Sequence, residues 1–249
     1  MGTGNIQIER AFVFVQARMG SRRFPGKTLE KLMHKTLLEN VCDGIPLDRL
    51  VILTSQNPLD DPLVDFCTKV NYQVFRGAEI DVFERFLAAT KKYVAPYYIR
   101  LTGDNPCIYK PILPVLIDTL ENLSLDYCVS SELPLGGAAE AFTRHSLFNL
   151  ANLPWDEAQA EHVTAKYYEA DSSFSWKTVP CGFAQLSSLR LTVDEPQDLD
   201  LMRNLAKEVG RDPCEIKYSQ IERLFAKQPS LFQSNRNIHQ RKVTDLAEL

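Results

Sequence analysis

The stretch that decides the fold is Ala11–Lys27, AFVFVQARMGSRRFPGK, in which a continuous apolar run leads directly into a basic loop. The run Ala11–Val15 is typical of a strand that is covered on both faces in a parallel sheet. Ligands of open α/β sheets bind beyond the carboxyl ends of the strands, where this loop must lie. The sequence therefore predicts an α/β fold with a ligand-binding loop after its first strand.

The loop has the composition of a phosphate-binding loop. Gly20 and Ser21 allow the backbone to come close to a ligand, so that N–H groups can point at phosphate oxygens. Pro25-Gly26 predicts a turn that carries Lys27 back toward the end of the strand. Four cations stand in the loop with no acidic residue among them, and they repel one another unless a polyanion binds. They are Arg18, Arg22, Arg23 and Lys27. An exposed basic loop without a ligand is the alternative at this point.

Strand and helix patterns alternate through the first half of the chain. Leu50–Thr54 and Tyr97–Leu101 resemble the first strand, and helical patterns lie between the strands, at Thr36–Asp43, Asp60–Lys69 and Ile80–Tyr93. This order predicts βαβ units with right-handed crossovers. After Asp126 the pattern is less regular, with a turn, three helices and two strands expected. These are Leu133–Ala138, the helices near Arg144–Asn152, Glu157–Tyr168 and Glu195–Val209, and the strands Phe174–Val179 and Leu189–Val193.

Length and charge limit the classes of function. The 249 residues, of which 45% are hydrophobic and 24% charged, fit one domain (1–249) with a small insertion at 131–170, expected to bind an acceptor and to contribute to a homodimer. A net charge of −4 gives no reason to expect a nucleic acid or an anionic membrane as partner. There is neither an apolar run long enough for a membrane span nor a signal peptide, so a cytoplasmic protein is expected. The six cysteines are expected to be reduced, and the four histidines show no zinc spacing.

Two acidic sites follow expected strands. Asp104, in Arg100-Leu101-Thr102-Gly103-Asp104, comes directly after the strand Tyr97–Leu101 and so lies at the same sheet edge as the basic loop. Asp194 follows Leu189–Val193 and precedes a helix. Chemistry on a triphosphate needs Mg²⁺, which proteins hold with one or two carboxylates together with phosphate oxygens. Asp104 and Asp194 are therefore the candidate Mg²⁺ ligands; the alternative for Asp194 alone is a helix cap.

Five ordered strings carry a resemblance to a known family. They are QARMGSRRFPGKTL, FRGAEIDVFERF, IRLTGDNP, EHVT and LTVDEPQDLD. In these strings the chain resembles the cytidylyltransferases that include spore-coat polysaccharide cytidylyltransferase-like proteins and, more distantly, the CMP-Kdo and CMP-sialic acid synthetases. The resemblance runs from about Phe12 to Leu201. It implies a Rossmann-like nucleotide-diphospho-sugar transferase fold, with a mixed, mostly parallel central sheet flanked by helices.

The resemblance also implies roles for individual residues. Arg18 and Lys27 match triphosphate-binding positions, and Asp104 and Asp194 match the carboxylates that bind Mg²⁺. The remaining positions expected in the nucleotide site, from the loop and from this resemblance together, are Ala17, Gly20, Ser21, Arg22, Arg76, Gly77, Asp81 and Arg100. For Arg100 the choices are to orient Asp104, to meet a substrate anion, or to form a buried structural ion pair.

The acceptor side departs from the family pattern. Related sequences often read P-x-G-x-D-x-E, whereas residues 134–140 here read PLGGAAE. Glu140 is retained as a candidate acceptor-binding residue, but Ala138 stands at the acidic position and Gly137 replaces a larger residue. His162 either contacts the acceptor or is a packed helix residue. The resemblance implies a reaction that transfers CMP from CTP to an acidic sugar (a 2-keto sugar acid) or a related acceptor, with pyrophosphate released, in surface glycan synthesis.

Two other functions remain as alternatives at this stage. A glycosyltransferase of the same fold would use an Asp-x-Asp metal motif, and the string Asp198-Leu199-Asp200 has that form but falls inside an expected helix. A catalytically silent nucleotide-binding module is the other alternative. The joint presence of Asp104, Asp194 and the full basic loop argues against it.

Overall fold

A computed structural model describes residues 6, 8–153, 163–168 and 172–239 of the chain. Seven strands form one sheet: β1 (Ala11–Gln16), β2 (Leu50–Ser55), β3 (Gln73–Gly77), β4 (Tyr97–Thr102), β5 (Tyr127–Ser131), β6 (Glu140–Thr143) and β7 (Trp176–Pro180). Their spatial order is β3-β2-β1-β4-β6-β5-β7. Within the described residues, β6 runs antiparallel to both its neighbours, and the other pairings are parallel. The expected mixed, mostly parallel sheet is confirmed.

Helices cover both faces of the sheet. They are α1 (Leu37–Cys42), α2 (Asp61–Lys69), α3 (Val82–Lys92), α4 (Ile112–Leu123), α5 (Arg144–Leu150), α6 (Pro196–Val209) and α7 (Tyr218–Lys227). Apolar residues of α1, α2 and α4 pack on one face, and those of α3 and α5 pack on the other. A third apolar cluster joins α6 and α7 to the segment that precedes α6. Among the described helices, none is long and apolar enough to cross a membrane.

Strand β1 lies in the interior of the sheet, as its apolar sequence predicts. Val13 belongs to the cluster shared with α4, whereas Phe14 points to the opposite face, where its ring lies 5.0 Å from that of Phe86 in α3. Both side chains are fully buried. Alternate residues of one strand therefore belong to two separate cores, which is why the run shows no polar alternation.

The carboxyl ends of β1 and β4 meet at one edge of the sheet. The two strands are parallel neighbours, with Gln16 opposite Thr102. Just beyond them, the Gly103 N–H donates to the carbonyl oxygen of Gln16 at 2.7 Å. A Cβ atom at Gly103 would lie 2.9 Å from the Cβ of Ala17, so a larger residue would push the two loops apart. This close approach brings Asp104 beside the basic loop.

Most of the expected elements are confirmed, but one strand is wrong. Leu189–Val193 is extended, yet it pairs with loops rather than with a strand of the sheet, because Leu191 N–H donates to the carbonyl of Leu135 and Val193 N–H donates to that of Asp104. The sequence patterns also missed five elements, namely β3, β5, β6, α4 and α7. Glu157–Tyr168 lies partly outside the described residues, and its described end holds only a short 3₁₀ turn, Ala165–Tyr167.

The segment 131–170 contributes β6 to the middle of the sheet, between β4 and β5. Its described part also contains α5, whereas 154–162 and 169–170 lie outside the described residues. The expectation that this segment binds an acceptor and contacts a second copy stays a prediction. The six cysteines are free thiols, as expected.

Candidate active site at the carboxyl edge of the sheet

The start of the basic loop is fixed by a buried carboxylate that the sequence reasoning missed. Asp60, which directly precedes α2, accepts a hydrogen bond from the Met19 N–H at 2.7 Å. It also accepts from the Thr54 hydroxyl and the Ser55 N–H at the end of β2. Burial alone would raise the pKa of Asp60, but these hydrogen bonds outweigh it and lower the pKa. The loop after β1 is thus tied to the neighbouring strand end.

The end of the loop returns to the sheet through a tight turn. Gly26 adopts a φ of 78°, a left-handed conformation that favours glycine, and its N–H donates to the carbonyl of Met19 at 2.9 Å. A short 3₁₀ helix, Lys27–Leu29, follows, and the Thr28 hydroxyl donates to the carbonyl of Arg18. The expectation that Pro25-Gly26 carries Lys27 back to the strand end is confirmed.

Lys27 joins the two acidic sites. Its ammonium donates to the carboxylate of Asp104 at 3.1 Å and to that of Asp194 at 3.0 Å. It also donates to the carbonyl of Val193 at 2.6 Å. The lysine is 8% exposed, so its charge is held by these oxygens rather than by water. The structure therefore brings together three of the residues predicted for this site.

Asp194 is surrounded by positive charge. Besides Lys27, Arg23 lies 3.2 Å and Arg190 2.7 Å from its carboxylate oxygens. Burial would raise the pKa of Asp194, but the attraction of these three cations outweighs it and lowers the pKa below its usual range. Asp194 is thus an anion in the folded protein. It precedes the residue that caps α6, Glu195, so the helix-cap alternative does not describe it.

A second buried carboxylate supports this arrangement from behind. Asp198, in the first turn of α6, is fully buried and accepts from the N–H groups of Asp194 and Glu195. It also pairs with Arg190 at 2.9 Å and accepts from the side-chain amide of Asn235 at 2.8 Å. No motif in the sequence indicates a role for Arg190 or Asn235. Their signal was weak, because a single arginine or asparagine in an irregular segment is ordinary.

The string Asp198-Leu199-Asp200 does not form a metal motif. Asp198 is fully buried and committed to Arg190, whereas Asp200 is exposed on the helix surface. Two carboxylates that point to such different surroundings do not bind one ion. This placement removes the basis of the glycosyltransferase alternative.

The oxygen ligands at Asp104 and Asp194 fit a hard divalent cation. Both carboxylates reach the same ammonium, so a positive charge already lies between them. Mg²⁺ bound with a nucleotide needs only one or two protein carboxylates, because phosphate oxygens and water complete the octahedron. In the described part of the chain no group of three or more potential metal-binding side chains occurs, and Mg²⁺ binding by Asp104 and Asp194 stays a prediction.

Arg100 and Glu140 form a closed pair beside this cluster. They are opposite each other in the antiparallel register of β4 and β6, and their side chains are about 15% exposed. Glu140 also accepts from the hydroxyls of Tyr127 and Thr164, each at 2.8 Å, and Arg100 donates to the side chain of Gln16. Burial would raise the pKa of Glu140, but Arg100 and the hydroxyl donors outweigh it and lower the pKa.

Residues 134–140, which are predicted to meet the acceptor and are called the acceptor loop below, are shaped by a tyrosine that the sequence patterns did not indicate. A Cβ atom at Gly137 would lie 2.2 Å from the hydroxyl oxygen of Tyr218, in the first turn of α7. That hydroxyl donates to the carbonyl of Cys107 at 2.7 Å. Tyr218 therefore fills the space that a larger residue at 137 would need. Ala138 is exposed, and His162 lies outside the described residues.

The remaining predicted residues divide into two groups. Arg18, Gly20 and Arg22 are exposed, with Ser21 half-buried among them, whereas the buried Ala17 donates its N–H to the carbonyl of Leu53.

The second group lies at the β3 edge, beside the loop after β2, and has structural partners there. Arg76 donates to the carbonyls of Ser55 and Asn57, Gly77 packs against Arg85, and Asp81 caps α3 through the N–H of Glu84. Their roles toward a nucleotide stay predictions.

The chain is similar to known proteins over most of its length. A family model for cytidylyltransferases matches residues 12–238. The chain belongs to the cytidylyltransferase family. The resemblance drawn from the five strings is thereby confirmed, and the match extends over the sheet, the basic loop and both acidic sites.

Individual cytidylyltransferase relatives agree with this assignment. The chain is 31% identical to the spore coat polysaccharide biosynthesis protein SpsF of Bacillus subtilis, over 86% of this chain and 93% of that protein. It is 32% identical to the 3-deoxy-manno-octulosonate cytidylyltransferase of Chlamydia trachomatis over 115 residues, 43% of each chain. The solved structure of a cytidylyltransferase from Leptospira borgpetersenii matches with a TM-score of 0.82 at 27% identity, covering 94% of this chain and 99% of that one.

Proposed function

We propose that this cytidylyltransferase transfers CMP from CTP to an acidic sugar, a 2-keto sugar acid, and releases pyrophosphate. The reaction depends on Mg²⁺, and its CMP-linked product serves surface glycan synthesis. The observation that carries the proposal is the convergence of Lys27, Asp104 and Asp194 at the carboxyl ends of β1 and β4. One cation from the loop and two acids from distant segments meet where ligands of such sheets bind.

The residues of the basic loop act on the triphosphate. In the reaction, a hydroxyl oxygen of the acceptor forms a bond to the α-phosphorus of CTP while the bond from that phosphorus to pyrophosphate breaks, and the hydroxyl proton passes to solvent. Arg18 and Lys27 are the cations that stabilise the negative charge on the departing pyrophosphate. Because the attack comes directly from the acceptor, no side chain needs to form a covalent intermediate, and positioning and electrostatics supply the acceleration.

Asp104 and Asp194 are the residues that would hold Mg²⁺. When bound, the ion supplies positive charge at the α-phosphate and polarises its oxygens. The part of the protein in this step is to keep both carboxylates ionised and correctly placed. Arg190 and Asp198 do this for Asp194, since they fix its backbone and one of its carboxylate oxygens.

The acceptor class rests on one relative and on the shape of the acceptor loop. The Chlamydia relative is named as a cytidylyltransferase of 3-deoxy-manno-octulosonate, which is an acidic sugar. In this chain the exposed Ala138 adds no charge to the loop, and Tyr218 occupies the space beside Gly137. A loop without a carboxylate at this position repels an anionic acceptor less than a loop that carries one.

The direct test is pyrophosphate release with CTP and Mg²⁺ against a panel of 2-keto sugar acids and sugar phosphates. We expect release with at least one 2-keto sugar acid, and release at least ~100-fold slower with the Asp104→Asn variant. Release with sugar phosphates alone would move the acceptor class away from acidic sugars. If no acceptor of either class supports pyrophosphate release, the proposed reaction is contradicted.

A thermal-shift series separates nucleotide binding from turnover. CTP with Mg²⁺ should raise the melting temperature more than UTP, GTP or ATP with Mg²⁺, because only bound nucleotide stabilises the folded state. Stabilisation by CTP without pyrophosphate release from any acceptor would instead favour a silent nucleotide-binding module.

A further inference from the structure

The ammonium of Lys27 is surrounded by three oxygen atoms. Its ammonium lies about equally far from Asp104 and Asp194, at 3.1 and 3.0 Å, and also contacts the Val193 carbonyl. Three oxygens around one buried cation, two of them carboxylate oxygens, are the donor set that a hard metal ion also prefers. The lysine ammonium thus lies between the two acids, where a metal ion held by both would also lie.

The two acids depend on Lys27 to different degrees. Asp194 has Arg23 and Arg190 as further ion-pair partners. Asp104, in the described part of the chain, forms its ion pair with Lys27 alone, and its side chain is 28% exposed. Removal of the lysine charge would therefore leave Asp104 as an accessible, unpaired carboxylate beside a second carboxylate. Such a pair attracts a divalent cation more strongly than the lysine-bound pair does.

We propose that Lys27 is a resident cation that competes with the divalent metal for Asp104 and Asp194, so that the metal binds well only when a triphosphate draws the lysine away. This inference rests on the proposed function for the identity of the ligands. The triphosphate offers the ammonium a new anionic partner and offers the metal further oxygens. Metal and nucleotide therefore bind cooperatively, and metal alone binds weakly.

The geometry of the loop permits this exchange. Lys27 begins a three-residue 3₁₀ helix directly after the turn at Gly26, while its contacts with Asp104 and Asp194 are made by the terminal ammonium only. A change of side-chain rotamer therefore moves the charge without unfolding the loop. The anchors at Met19 and Thr28 are separate hydrogen bonds and stay in place.

The test is Mn²⁺ binding without nucleotide, measured by the loss of the free-ion signal in electron paramagnetic resonance. Lys27→Met should bind Mn²⁺ at least ~10-fold more tightly than the wild-type protein, within the range of ordinary coupling between sites. Lys31→Met is the matched control, because Lys31 is an exposed lysine near the loop, and it should bind as the wild type does. Adding Asp104→Asn to Lys27→Met should abolish the gain.

Two further variants separate the charge of Lys27 from its role in folding. Lys27→Gln keeps hydrogen bonding but removes the charge, and it should show the same gain in Mn²⁺ affinity. It therefore serves as the test if the methionine variant fails to fold. Lys27→Arg keeps the charge and should bind Mn²⁺ as weakly as the wild type. Binding in Lys27→Met or Lys27→Gln that is no tighter than in the wild type, or equal binding by all three variants, would overturn the competition. Pyrophosphate release is measured separately, so a failure of the proposed reaction is distinguishable.

Discussion

Two acid–base clusters of this cytidylyltransferase are built from different kinds of chain. In the strand network, Glu140 of β6 is held by Arg100 of β4 and Tyr127 of β5, which are all parts of the central sheet. In the loop cluster, Asp104 and Asp194 are held by Lys27, which comes from the loop after β1. The first set of partners is fixed by backbone hydrogen bonds between strands, whereas the second is carried by a flexible side chain on a loop.

This difference indicates which charges can be exchanged during a reaction. A carboxylate whose partners are fixed in a sheet cannot exchange them without disturbing the strands, so its ion pair contributes to the stability of the fold. A carboxylate whose partner is a lysine ammonium can give up that partner when a substrate brings a better one. We therefore expect substitutions in the strand network to affect stability and those in the loop cluster to affect activity.

The largest expected effect is on stability, from Glu140→Ala. This change leaves Arg100 buried without its counter-charge, which typically lowers the free energy of unfolding by about 3–5 kcal/mol. The measurement is urea denaturation at pH 7, compared with the wild type. A loss below ~1 kcal/mol would show that the strand network is not what fixes this part of the sheet.

The second effect is on activity, from Lys27→Ala and Asp104→Asn. Each removes a charged group that acts on the triphosphate or its metal, so each should lower turnover in the pyrophosphate assay at least ~100-fold. The unfolding free energy of Asp104→Asn should change by no more than ~1 kcal/mol, because its side chain is partly exposed and Lys27 keeps Asp194 and Val193. Near-normal turnover in either variant would remove these residues from the site.

A smaller effect is expected on the pH dependence of stability, from Glu140→Gln. The pKa of Glu140 is lowered from its ordinary value of 4.5 in the folded protein, so the folded state binds protons less readily than the unfolded state. This contribution is fully present above pH 4.5 and is lost as the pH falls through the folded-state pKa. The variant should be less stable than the wild type by about 1–3 kcal/mol at pH 7, and less so at pH 3. Urea denaturation at both values checks the sign, and a difference that grows on acidification would contradict it.

The smallest effect is expected from Glu30→Ala, the matched control for Glu140→Ala. Glu30 also pairs with an arginine, Arg203, at 3.0 Å, but both side chains are more than 40% exposed. An exposed pair of this kind contributes about 0.2–1 kcal/mol because solvent screens it. The same urea titration measures it, and equal losses from Glu30→Ala and Glu140→Ala would erase the distinction between exposed and buried pairs.

The sequence patterns predicted elements where one physical signal was strong. The apolar run of β1 and the helical spacing in α3 follow from burial and periodicity, and both elements are present. Strand β3 was missed because its side chains are mostly half-buried at the sheet edge, so the apolar signal is diluted. Leu189–Val193 was predicted as a strand because a short apolar run is typical of one. Its apolar residues are indeed buried, but they pack against α6 and α7 and not within the sheet.

The α/β class, the basic loop, the two acidic sites and the family could be predicted from the amino-acid sequence, because each depends on residues that are close together in the chain. How these parts are connected is visible only in the folded protein. Lys27 and Asp194 are 167 residues apart, and their contact depends on β1 and β4 being neighbours and on the path of the segment before α6. The same holds for Glu140, whose partners come from three other segments. Local patterns carry propensity and burial, but which charge lies beside which is fixed by long-range packing.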